Sequence, residues 1–137
     1  MNVIEEIKSK LSKYPDVRFT TDDCSITVLP DSADGFDVTL TENSSDSFTV
    51  SFAGWHEDLA DPQEALNVFA FGLSDECRLR EYRRGGFAYK WTLESCEDGE
   101  WKAESTTALL LFPFWRKLEV RQLQNKSFIR KENGIRD

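Results

Sequence analysis

The chain is poor in the residues that carry most side-chain chemistry. Of its 137 residues one is histidine, one methionine, three are cysteine, four proline and seven glycine. A lone histidine excludes a two-histidine metal site and a paired imidazole relay within one chain. His56 could gather only Glu57, Asp58 and Asp61 around a cation. Those acids have a simpler use, since negative charge is favoured at the start of a helix. Cys24, Cys77 and Cys96 are odd in number and lack C-x-x-C spacing, which fits free thiols in a reducing cytoplasm.

Catalytic and phosphate-binding signatures are also missing. No G-x-S-x-G elbow, G-x-G-x-x-G turn or P-loop occurs. The acid pairs Asp22-Asp23 and Glu97-Asp98 fall where turns are expected, and a solvated carboxylate is not raised in pKa as a general acid needs. No catalytic residue, metal or cofactor is therefore assigned, and the chain is expected to be no enzyme. No apolar run approaches the ~20 residues of a membrane span. Residues 1–7 place Glu5 and Glu6 where an export signal would carry basic residues and an apolar block. A cytoplasmic location without membrane contact is the expectation.

What is present is a globular composition with 39% apolar, 12% aromatic and 31% charged residues. The net charge of −8 is unevenly spread. Residues 1–76 hold 4 basic and 16 acidic residues, a charge of −12, and residues 77–137 hold 13 and 9, a charge of +4. Such asymmetry either compensates itself across a sheet or offers a partner a two-signed surface.

Two helices and a series of strands are legible. In residues 2–13, Val3, Ile4, Ile7 and Leu11 form one stripe, Asn2 with Glu5 resembles a capping box, and Pro15 stops the helix. In residues 61–74, Asp61 caps, Pro62 suits the first position and Leu66, Phe69, Ala70 and Leu73 recur at helical spacing. Ala65, Val68 and Phe71 widen that stripe, predicting a helix covered on nearly all sides. Period-two segments begin at Val17, Cys24, Phe36, Phe48, Arg78, Phe87 and Trp101. Residues 116–124 satisfy both periods, with a strand favoured. The expectation is an α+β domain over 1–125, with a polar, frayed tail over 126–137. Its core is a curved antiparallel sheet of about eight strands with two helices on one face, and helix-plus-four-strands twice over suggests an α-β4 duplication.

Gly85-Gly86 predicts a tight hairpin with positive φ at both central positions. Counting outward without interruption sets Arg84 against Phe87, Tyr82 against Tyr89, Arg80 against Trp91 and Arg78 against Leu93. Arg78, Arg80, Tyr82, Arg84, Tyr89 and Trp91 would then share one face, a guanidinium–aromatic surface suited to an acidic protein or peptide. The competing reading is an ordinary cross-strand ladder that solvates an outer face. An adaptor or binding domain acting through this surface is the leading expectation, and an exposed aromatic strip also suits a homodimer. A small apolar ligand between sheet and helix 61–73, near Trp55, His56, Phe69, Phe71 and Trp101, is the first alternative. Single-stranded nucleic acid on the strip is the second, disfavoured by overall acidity.

Overall fold

The alternation of the first half makes strands because each buries one row of side chains and wets the other. In a computed structural model that describes residues 2–125, β1 (Phe19–Thr21), β2 (Ser25–Val28), β3 (Val38–Ser44), β4 (Ser47–Phe52) and β5 (Trp55–Leu59) form an antiparallel sheet in that order. Ile26, Val28, Val38, Leu40, Phe48, Val50 and Phe52 all point to its buried face. Helix α1 (Val3–Leu11) lays Val3, Ile4, Ile7 and Leu11 against that face, and the Asn2 side chain caps it by accepting from the Glu5 N–H at 2.8 Å.

Helix α2 (Pro62–Gly72) starts as the sequence predicts, with Asp61 accepting from the Glu64 N–H at 2.9 Å and Pro62 in the first turn. It packs across β3, β4 and β5. Only Ala65, Phe69 and Gly72 are buried, while Leu66, Val68 and Phe71 are half-covered and Gln63, Asn67 and Ala70 face water. The prediction of a helix enclosed on nearly all sides is thus corrected. One sheet covers one face, and α1 does not lie close enough to seal the other. Gly72 allows the contact with the sheet, since a Cβ there would overlap the Phe52 ring.

The second half forms a separate antiparallel sheet from β6 (Cys77–Arg84), β7 (Phe87–Glu97), β8 (Glu100–Ala108) and β9 (Leu118–Leu123), in the order β8-β7-β6-β9. The fold is α+β; among the described residues there are two helices and nine strands, and the strands divide into two open sheets of five and four. The anticipated repeat is accordingly unequal: α1 leads five strands and α2 leads four. The ambiguous segment is strand β9. The expectation of a frayed tail at 126–137 lies outside the described residues.

Both sheets share one core, which runs from Val3 and Phe36 through Phe52 and Trp55 to Leu79, Trp91, Leu93 and Leu123. Polar bonds join them at the rims. The Trp55 indole N–H donates to Ser105 Oγ at 2.8 Å, and the His56 N–H reaches Thr107 Oγ1 at 3.3 Å. At the other side, buried Asn125 accepts from the Phe36 N–H at 2.9 Å and donates to the carbonyls of Phe36 and Gly72, each at 3.1 Å.

Candidate functional site

Gly85 and Gly86 have φ of 58° and 86°, so the tight hairpin forms and Arg84 stands opposite Phe87 as predicted. Beyond that pair the register differs. A bulge leaves Tyr89 without a partner of its own; Arg83 faces Ala88, Tyr82 faces Lys90, Arg80 faces Thr92 and Arg78 faces Glu94. Trp91 stands opposite Glu81 rather than Arg80. The six residues proposed to share a face are therefore divided: Arg78, Arg80, Tyr82 and Arg84 lie outward, while Tyr89 and Trp91 are buried at 7% and 8% exposure.

Energetics explain the correction. A bulge forfeits a ladder hydrogen bond of net worth about 1 kcal/mol. Covering two large rings, Trp91 in the core and Tyr89 beneath Phe112, recovers roughly 1.5–3 kcal/mol for each well-buried side chain. The burial wins. The Trp91 indole N–H then donates to Glu81 Oε2 at 3.0 Å, and Arg83 pairs with Glu81 Oε1 at 2.9 Å, so the inward carboxylate is satisfied on both oxygens. Gly54, in the β4–β5 turn, lies against Trp91 so closely that a Cβ would overlap the ring.

On the outward face Glu94, 5% exposed, holds Arg78 at 2.5 Å and Arg80 at 3.2 Å. Arg78 also lies over Trp101 at 4.3 Å from the ring centre, and Lys90 over Tyr82 at 4.2 Å. Neither α1 nor α2 covers this side. Phe87, Leu118 and Val120 are 42–45% exposed beside Arg84 and Tyr82, which they flank in the register of β6, β7 and β9. The Nε atoms of Arg80 and Arg84 have no acceptor among the described residues.

The β8–β9 connection adds a projecting row of apolar side chains. Leu110 is 92%, Leu111 83%, Trp115 71% and Phe114 69% exposed. The segment is anchored despite this. The Leu109 N–H donates to the Tyr89 carbonyl, Phe112 stacks on Tyr89 at 4.1 Å, and the Gly85 N–H donates to the Lys117 carbonyl at 3.0 Å. The run Leu109-Leu110-Leu111 ahead of Pro113 was the available signal, because a proline cannot extend a ladder and leaves its neighbours unpaired.

The alternative pocket does not assemble from its five residues. Trp55 is enclosed and stacks on Phe52 at 4.8 Å, Phe69 is in the core and Phe71 is half-buried beside it. His56 is exposed on β5, and Trp101 lies on the outward face under Arg78. An open groove of about 440 Å³ runs instead between α1 and α2, past Ile7, Leu11, Tyr14, Leu66 and Phe69. The acids near His56 are dispersed, with Asp58 accepting from Thr49 Oγ1 and Asp61 capping α2. Among the described residues no three His, Cys, Asp or Glu side chains are grouped to hold a metal ion, and no helix is long and apolar enough to cross a membrane.

No protein-family model, curated protein or solved structure matches the chain.

Proposed function

We propose that the chain is a non-enzymatic, cytoplasmic protein-binding module. Its contact surface is the outward face and hairpin end of the second sheet. The observation that carries this reading is the uncovered row of Arg80, Tyr82, Arg84 and Lys90, bordered by Phe87, Leu118 and Val120 and by the projecting Leu110, Leu111, Phe114 and Trp115. Aromatic and arginine side chains of this kind dominate binding energies at protein interfaces, and a contiguous exposed apolar patch marks such a site. The cations select an acidic protein or peptide, and the apolar border supplies the area that charge alone does not. Nucleic acid fits less well. With Trp91 in the core and Tyr89 stacked under Phe112, the outward rings of Tyr82 and Trp101 each carry one of the chain's own cations, so few free faces remain for bases.

The test is capture from native extract with wild type, an Arg80→Ala/Arg84→Ala variant and a Leu110→Ser/Trp115→Ser variant, with Lys8→Ala on α1 as control. Both variants are expected to remain folded, because partly exposed ion pairs and exposed side chains each contribute about 1 kcal/mol or less to stability. An acidic partner retained by wild type and Lys8→Ala, lost from both surface variants and weakened by salt is the expected result. Identical partner sets for all four proteins would refute the reading.

A further inference from the structure

We propose that β9 is a dimerisation strand, pairing antiparallel with β9 of a second copy about a two-fold axis at Val120. The edge geometry carries this independently of any partner on the outward face. Strand β9 pairs with β6 through six uninterrupted positions, from Leu79↔Leu123 to Arg84↔Leu118, and among the described residues nothing pairs with its second edge. The other sheet edges are short or partly engaged. Strand β1 has three residues, and β8 and β5 meet each other through the Trp55–Ser105 and His56–Thr107 bonds. An open edge of six residues without proline or bulge is a template for another strand.

The sequence of β9 selects which strand. Glu119 and Arg121 point to the same side, where Arg83 stands beside Glu119 and Glu81 beside Arg121 on β6. Inward charges repel most strands from an edge. They do not repel an antiparallel copy centred on Val120, because that register sets Glu119 of each chain against Arg121 of the other. Charge then alternates without a break across four strands, in the order Glu81, Arg121, Glu119, Arg83. On the opposite side Val120 meets its own symmetry mate and Leu118 meets Gln122, covering two of the half-exposed apolar side chains. Antiparallel pairs with opposite charges or apolar groups directly across are the stabilising ones. A two-fold axis needs such a self-complementary patch. The pairing engages residues 118–122 and leaves Leu123 in the core and Gln124 and Asn125 to their bonds with the first half, among them Gln124 N–H to the Asp34 carbonyl at 2.8 Å.

Sedimentation velocity over a concentration series tests the state, with a rise from 15.8 kDa to twice that mass expected. Glu119→Arg and Arg121→Glu variants, each confirmed folded by circular dichroism, should each sediment as monomers, and their equimolar mixture as a heterodimer. In a Cys24→Ser background, Val120→Cys should cross-link on mild oxidation, and Leu118→Cys should not. Wild type that stays monomeric at its highest soluble concentration overturns the proposal. So does a dimer whose mass neither charge variant alters, or one that cross-links through Leu118→Cys as readily as through Val120→Cys.

Discussion

Trp91 and Glu81 face each other across the β6–β7 pair and are joined by an indole N–H to carboxylate bond of 3.0 Å. Arg80, next to Glu81 in sequence, lies on the other side of the sheet. Trp91→Phe keeps the ring but strands one oxygen of a buried acid, and a loss of about 1–3 kcal/mol is expected. Trp91→Ala should lose roughly 3–5 kcal/mol and Arg80→Ala about 1 kcal/mol or less. Urea unfolding of the three variants measures this. Equal losses for Trp91→Ala and Arg80→Ala would contradict the observed register.

Glu94 joins two arginines from a nearly enclosed position, so its removal leaves both guanidiniums without their carboxylate. Breaking such a pair from one side costs roughly 3 kcal/mol or more. Glu94→Ala is expected to lower the urea midpoint well beyond Lys102→Ala, whose partner Glu97 is open to solvent. The reverse order would show that Glu94 is not enclosed.

Asn125 satisfies three backbone groups at once, the N–H and C=O of Phe36 and the C=O of Gly72. Asn125→Ala leaves these groups unpaired in the interior, for an expected loss of about 2–4 kcal/mol. Asn125→Asp accepts from Phe36 but cannot donate, and should be nearly as damaging. Thermal melts comparable to wild type for both variants would remove Asn125 as the link between the halves.

Burial pushes the Cys77 thiol from 9.0 up to about 12. An acid whose pKa is raised by folding holds its proton more tightly in the native state. The contribution is complete below pH 9.0 and is lost as pH rises toward about 12. Stability should fall by ~1.4 kcal/mol per pH unit in that window from this group alone. Comparing alkaline urea titrations of wild type and Cys77→Ala isolates it, since every other group is common to both. A disulfide reagent at neutral pH should label exposed Cys24 at once and Cys77 only on unfolding. Labelling of Cys77 as fast as Cys24 would show that the thiol is not enclosed.

Local chemistry made much of this fold readable. Asn2, Asp61 and Pro62 announce helix starts whatever surrounds them, and Gly85-Gly86 admits little but a tight turn. The rest of the fold depends on distant neighbours. Strand β5 carries no period-two signature, because Trp55 alone is buried there and His56, Glu57 and Asp58 are all exposed. Its strand character comes from pairing with β4 between Phe52↔Trp55 and Phe48↔Leu59. The bulge at Tyr89 likewise has no signature of its own. Only the core beneath it and the Phe112 ring above decide which way the aromatic side chains turn, and that shift by one residue divided the six candidate site residues between two faces.

The stack of Phe112 on Tyr89 has a thermodynamic consequence for recognition. Because Leu109, Phe112 and Lys117 are tied to the hairpin, the backbone that presents Leu110, Leu111, Phe114 and Trp115 is already in one conformation before any encounter. Association then has to immobilise a few side-chain torsions and no loop, and the entropy that opposes complex formation is correspondingly small.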